Sequence, residues 1–94
     1  MAEDRIMMRN PNTGRDDMRI DRAIFEPVRD AILAALAEEG ELSNPEMHEE
    51  IERRTPADLW SERSLLWYAT SVKLHLEAEG TIIVKGSPQK LTLP

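Results

Sequence analysis

Apolar residues recur at spacings of three and four in the first half of the chain, which is the period of an amphipathic helix. The stripe consists of Phe25, Val28, Ile32 and Leu36. Asp21 stands before it as a suitable N-cap, and Gly40 follows it as a helix-ending glycine. Pro27 falls inside the stripe, but the apolar phase is the same on both sides of it. The pattern therefore predicts one helix over residues 22–39.

A second helix is predicted to follow, and its start has two possible caps. Ser43 with Glu46 fits a capping box. Pro45 is most favourable at the first helical position, which makes Asn44 the cap instead. In either case the helix runs to about Arg54. Its remaining charged positions are typical of a solvent-exposed face.

The last third of the chain predicts a helix followed by a β-hairpin. The helix covers residues 61–79, ends at Gly80, and carries a main stripe of Leu65, Ala69, Val72 and Leu76. The segments "TIIVK" and "QKLTL" flank the turn "GSP". With a short strand around Leu42, the order is helix, strand, helix, helix, strand, turn, strand. We therefore predict an α+β, winged-helix-like domain over residues 21–94, with three helices, a short strand and a C-terminal β-hairpin.

Residues 1–20 are predicted to form an N-terminal arm. The arm contains the apolar run "IMM", a turn-rich segment "RNPNTGRDD" and a short extended piece, "MRI". Apolar residues in an arm need burial, so the arm is either partly disordered or packed on the domain.

The third helix has a second apolar side. At 100° per residue, Trp67, Leu74 and Ala78 fall nearly opposite the main stripe. An apolar side of this kind is rarely left in water. We expect it to be covered by the arm or by a second copy of the chain.

The charge is unevenly distributed along the 94 residues, whose net charge is −6. Residues 23–60 hold ten acids and three arginines, which gives them −7, whereas residues 61–94 hold three acids and four bases. A strongly acidic middle opposes general nucleic-acid binding. The absence of cysteine, of an apolar leader and of a membrane-length apolar run predicts a cytoplasmic protein with no membrane partner.

No motif for catalysis or cofactor binding is present. His48 and Glu52 lie one helical turn apart, but a zincin-type site needs a second histidine there. His75 lies at the edge of the third helix's stripe and is expected to pack there. Phosphate-binding loops and nucleophile motifs are missing from the sequence. We therefore predict a protein that is not an enzyme and has no cofactor and no metal.

Two resemblances support the predicted fold. The segment "WYATSVKLHLEAEGTIIVKGSPQKLTL" is similar to the last helix and wing of winged-helix domains, including N-terminal domains of some restriction endonucleases. Most of the chain resembles a family of small bacterial proteins of unknown function. The matching positions are Pro11, Gly14, Asp21, Phe25, Glu26, Glu46, Met47, Trp67, Tyr68, Val72, Leu74, Leu76, Glu77 and Gly80. This family implies the fold and no activity.

Two functions are compatible with these observations. One is a protein-interaction or self-association module that uses the side with Trp67, Leu74 and Ala78, with a homodimer or another protein as partner. The other is a DNA-binding transcriptional regulator that uses the third helix and wing. Its candidate phosphate contacts are Arg63, Lys73, Lys85 and Lys90, with the arginines of the arm in addition. The interaction module is favoured. A helix that reads base edges should present polar side chains to the DNA, whereas this helix carries Trp67 and Leu74 on that side.

Overall fold

The computed structural model describes residues 5–10 and 15–94. It contains five strands and three α-helices in these ranges: β1 (Arg5–Asn10), β2 (Arg15–Asp21), α1 (Arg22–Glu39), β3 (Glu41–Ser43), α2 (Asn44–Arg54), α3 (Leu65–Ala78), β4 (Ile83–Lys85) and β5 (Lys90–Thr92). A 3-10 helix at Ala57–Trp60 connects α2 to α3. The turn predicted in the arm, with Pro11 and Gly14, lies outside the described residues.

The helices and the C-terminal strands confirm the predicted α+β class. β5 is the central strand of a three-stranded antiparallel sheet and pairs with β3 on one side and β4 on the other. Leu42 faces Leu91 and Val84 faces Leu91 across these pairs, so that one short strand between α1 and α2 joins the C-terminal hairpin. This order and pairing are consistent with a winged-helix-like arrangement.

Helix α1 has the predicted bounds and supplies much of the core. Its apolar stripe is buried along the whole helix, and Pro27 is accommodated within it. Gly40 ends the helix with φ of 82°, a conformation that L-residues with a side chain rarely adopt, and its N–H donates to the Leu36 carbonyl at 2.8 Å.

Helix α2 begins with the capping box rather than with Asn44 as its cap. The Ser43 hydroxyl accepts from the Glu46 N–H at 3.2 Å, and the Glu46 carboxylate accepts from the Ser43 N–H at 2.8 Å. Two N–H groups without helical partners are satisfied by one residue pair. These contacts, with the backbone of Ser43 as the larger cause, lower the pKa of Glu46.

The predicted start of α3 at Ser61 is wrong by four residues. Ser61 belongs to the end of the 3-10 helix, where its hydroxyl donates to the Asp58 carbonyl at 3.0 Å. Ser64 is the N-cap of α3, and its hydroxyl accepts from the Trp67 N–H at 3.2 Å. Both serines are plausible caps in the sequence, and the intervening turn decides between them.

The arm is a β-hairpin in the described residues. β1 pairs antiparallel with β2, with Ile6 opposite Ile20 and Met7 opposite Arg19, and the register shifts between Met8 and Asn10. Met8 and Ile20 are almost completely buried and belong to the same hydrophobic core as α1, α2 and α3. The hairpin is therefore an integral layer of the fold.

Candidate interaction surface

The core side of α3 agrees with the predicted main stripe. Ala69, Val72 and Leu76 are buried, while Leu65 is half-buried at the start of the helix. α1 and α2 pack on this helix from the core side. His75, at the edge of the stripe, meets the Phe25 ring edge-on with 5.5 Å between centroids. This contact agrees with the packing role expected for His75.

The opposite side of α3 carries Leu74 and Ala78. β1 contacts α3, and Leu74 and Ala78 are half-buried. Leu74 and Ala78 are therefore only partly accessible to a partner.

Trp67, in the first turn of α3, is more exposed than Leu74 and Ala78. Its side chain is 46% exposed, and the neighbouring Leu66 is 58% exposed. We call these two residues the α3-start patch. Leu66 falls on neither predicted stripe, so helical periodicity alone gave no signal for it.

Aromatic contacts hold the Trp67 side chain of the α3-start patch in place. The Trp67 ring meets the Tyr68 ring edge-on at 4.8 Å, and Tyr68 lies 6.1 Å from the Trp60 ring. Trp60 in turn donates from Nε1 to the Thr55 hydroxyl at 2.9 Å. Trp67 is thus the exposed end of a series of ring contacts that runs through Tyr68 to Trp60, and the hydrogen bond to Thr55 holds Trp60.

Arg63, a predicted DNA contact, is exposed just before α3. Its Nη1 donates to the Leu59 carbonyl at 3.2 Å, which holds the guanidinium against the preceding turn. It is the predicted cation nearest in sequence to the α3-start patch. A guanidinium beside exposed apolar side chains suits a protein contact as well as a phosphate.

Lys73, a second predicted DNA contact, is buried, with 7% of its surface exposed. Its Nζ donates to Asn44 Oδ1 and to Gln89 Oε1, each at 3.1 Å, and Asn44 Nδ2 donates to the same Gln89 oxygen at 3.3 Å. The ammonium therefore joins α3 to the start of α2 and to the wing. Burial lowers its pKa, and Glu77, one turn along, acts in the opposite direction. This position disfavours contact with a phosphate.

The two wing lysines lie directly opposite each other. Lys85 in β4 and Lys90 in β5 are Cα partners, with Lys85 exposed and Lys90 half-buried. The charge of Lys90 also acts on Glu46 and contributes to lowering the pKa of that carboxyl. Of this pair, Lys85 is the one that is open to a partner.

A groove lies between α1 and α2. It has a volume of about 490 Å³ and is lined by Pro27, Asp30, Ala31, Ala34 and Arg54. Arg54 is already held by carboxylates: Nη2 donates to Glu38 at 2.7 Å and Nε to Glu50 at 2.9 Å. These contacts raise the pKa of Arg54 and lower that of both carboxyls. The groove therefore offers an anion little free charge.

His48 and Glu52, one helical turn apart in the sequence, both lie on α2. Over residues 5–10 and 15–94, no group of three or more metal-binding side chains comes together. His48 is half-buried on α2, and burial, with a smaller effect of Lys73, lowers its pKa.

Over residues 5–10 and 15–94, no helix has the length and apolar character required to cross a membrane.

Comparisons with known proteins identify the family of the chain and no activity. No curated protein matches it, and no solved structure matches it. One family model, described as a family of unknown function, matches residues 5–91 and so includes both the N-terminal hairpin and the wing. The protein therefore belongs to the family of unknown function DUF6958.

Proposed function

We propose that this protein is a non-enzymatic protein-interaction or self-association module whose contact surface is centred on the α3-start patch. The observation that carries the proposal is the joint exposure of Leu66 and Trp67 in one helical turn. Large apolar side chains that remain exposed side by side gain free energy when a partner removes them from water.

The chemistry of the patch suits an interface. Trp is enriched among residues that carry most of the binding energy, because it offers a large apolar area with few rotatable bonds. Tyr68 contacts the Trp67 ring, and the Ser64 cap fixes the backbone beneath it. A pre-positioned side chain loses less conformational entropy on binding.

The surroundings of α3 favour a protein partner over a nucleic-acid groove. β1 contacts α3, and the Lys73 ammonium is held by Asn44 and Gln89. A groove reader would need this helix accessible and its cations directed outwards.

Substitution of the patch tests the proposal. Trp67→Ala and Leu66→Glu should weaken self-association in sedimentation equilibrium, or photo-crosslinking from position 67 to another protein, while the far-ultraviolet spectrum stays unchanged. Leu93→Glu is the matched control, since Leu93 is also exposed but lies after β5. The proposal is wrong if the wild type stays monomeric and position 67 crosslinks to no protein in its own cells.

DNA binding through the wing is the second candidate function. It is supported by Lys85 and Lys90, because like charges directly opposite each other repel and a phosphate would relieve the repulsion. Lys85→Glu should then abolish a mobility shift of duplex DNA at low salt, while Arg53→Glu on α2 should leave it. A wild-type protein that shifts no duplex at low salt would exclude this candidate.

A further inference from the structure

The C-terminal hairpin has a buried base and an exposed tip. Ile82 and Leu91 are almost completely buried and belong to the hydrophobic core. Residues 85–89, by contrast, are all exposed. We call residues 85–89 the wing tip. Since the wing tip buries none of its side chains in the core, its position relative to the helices has to be set by polar contacts.

Gln89 connects the wing tip to α2 and α3. Its Oε1 accepts from Lys73 Nζ at 3.1 Å and from Asn44 Nδ2 at 3.3 Å. Lys73 Nζ also donates to Asn44 Oδ1 at 3.1 Å, so the three side chains form a closed triangle, which we call the latch. Over residues 5–10 and 15–94, no other side chain of the wing tip is hydrogen-bonded to a helix.

The register of the sheet explains why the latch residues meet. Ser43 in β3 and Lys90 in β5 are Cα partners in an antiparallel pair. The residue after Ser43 therefore comes beside the residue before Lys90, which brings Asn44 and Gln89 together. Lys73 reaches both from α3, so the latch joins the sheet, α2 and α3 at one point.

The ammonium of Lys73 gives the latch its strength. Lys73 is 7% exposed, and its Nζ donates to two amide oxygens, one of which belongs to Gln89. If Gln89 moved away, a buried cation would lose an acceptor, which costs more than the loss of a hydrogen bond between neutral groups. Movement of the wing tip is therefore coupled to this one charge.

The wing tip is also compact. Gly86 has φ of 92°, and a Cβ at this position would come within 3.1 Å of the Pro88 carbonyl oxygen. A turn this tight moves as a unit, and Gln89 at its end is the point at which the latch holds it.

From this geometry we infer that Lys73 is the positioning residue of the wing. It latches the wing tip onto α2 and α3, and loss of the latch allows the wing tip to move while the core stays folded. This inference concerns the wing and goes beyond the function proposed for the α3-start patch. Lys73, which is itself buried, then determines where the exposed Lys85 stands.

Lys73→Met tests the latch, because it removes the ammonium donors and keeps most of the apolar stem. The amide order parameters of Gly86, Ser87 and Gln89, from NMR relaxation, should fall from about 0.85 to below about 0.6, while those of α1 stay near 0.85. Lys85→Met, which removes an exposed lysine of the wing tip, is the matched control and should leave these order parameters unchanged.

Gln89 allows the latch to be tested from its other end. Gln89→Met removes the acceptor and should loosen the wing tip as Lys73→Met does. Gln89→Glu keeps an acceptor for the ammonium and makes the contact charge-assisted, so the wing tip should stay ordered.

The inference is supported if order is lost at the wing tip alone in both Lys73→Met and Gln89→Met and is kept in Gln89→Glu. A wing tip that stays ordered in Lys73→Met, or is already mobile in the wild type, overturns it. If Lys73→Met also loosens α1, Gln89→Met decides, because Gln89 is exposed and its replacement opens no cavity in the core. An ordered wing tip in Gln89→Met would then overturn the inference.

Discussion

A single hydroxyl, that of Thr55, connects α2 to the 3-10 helix after it. It donates to the Ile51 carbonyl at 2.6 Å and accepts from Trp60 Nε1 at 2.9 Å. Trp60 supports Tyr68, which contacts Trp67. One buried polar atom therefore positions the aromatic chain that ends at the α3-start patch.

Thr55→Val should lower the free energy of unfolding by about 1–2 kcal/mol, because it removes both hydrogen bonds and keeps the shape of the side chain. Chemical denaturation measures the loss. Thr70→Val is the matched control, since Thr70 is exposed on α3 and should show little change. Equal effects of the two substitutions would contradict the role given to Thr55.

Lys73 makes a separate prediction about pH. Burial lowers the pKa of its ammonium from the ordinary 10.5, so the unfolded chain binds this proton more tightly than the folded one. The free energy of unfolding should therefore gain a contribution that rises with pH, from the lowered pKa up to about 10.5.

Lys73→Met removes the charge and keeps most of the apolar stem. Near pH 7 its free energy of unfolding should differ from that of the wild type by less than about 1 kcal/mol, since lost hydrogen bonds and relieved burial oppose each other. Its denaturation curves should lack the alkaline rise, whereas Lys85→Met should retain it. Equal slopes in wild type and Lys73→Met would refute this account.

The burial of Lys73 could not be predicted from the sequence. The sequence predicted Lys73 as a candidate phosphate contact on α3. Its hydrogen-bond partners, however, are Asn44 and Gln89, which lie 29 and 16 residues away. No local pattern specifies such contacts, and a lysine without visible partners is expected at the surface.

At the scale of elements, the ends of a helix were predicted correctly where the local sequence signal was strong. The period of α1, with its glycine stop, gave bounds that the structure confirms at Arg22–Glu39. The capping box likewise marks the start of α2. The start of α3 was predicted four residues too early, because the 3-10 turn before it has no strong sequence signature.

The N-terminal hairpin was the element that sequence patterns largely missed. Three consecutive apolar residues, Ile6 to Met8, conceal the period-two alternation of a strand, and only "MRI" in β2 looked extended. Alternation becomes visible after docking, with Met8 buried and Met7 exposed. Tertiary contacts with α3 and α1, rather than local preference, define this element.

The capping box provides the prediction at this scale. Ser43→Ala should cost about 1 kcal/mol of stability, because it leaves the Glu46 N–H without its acceptor at the start of α2. Ser61→Ala is the control, since the Ser61 hydroxyl donates to a carbonyl and caps no α-helix. Thermal denaturation of both variants measures the two losses of stability. A larger loss for Ser61→Ala than for Ser43→Ala would contradict the capping role of Ser43.

At the scale of the whole molecule, acidic and apolar surfaces are segregated. The acidic stretch, residues 23–60, comprises most of α1, β3, α2 and the 3-10 helix, where Arg54 joins Glu38 to Glu50. The exposed Met7, Leu66 and Trp67 belong instead to β1 and α3. By charge, β1 and α3 are therefore better suited to association than the acidic stretch.

The same layout predicts that residues 21–94 do not fold alone. Removing residues 1–20 takes Met8 and Ile20 out of the core and removes the contact between β1 and α3. Burial of one large apolar side chain contributes about 1.5–3 kcal/mol, and a small domain has only about 5–15 kcal/mol in total. We therefore expect the truncated chain to lack a cooperative thermal transition and to aggregate in size-exclusion chromatography.

A chain that begins at Arg5 is the control for this truncation, because it keeps β1 and β2. It should melt cooperatively, close to the full-length protein. If the chain of residues 21–94 melts as cooperatively and at the same temperature, the hairpin is an accessory layer. If only the longer chain folds, the hairpin, α3 and the wing form one cooperative unit, and any partner of β1 must recognise the hairpin in its docked conformation.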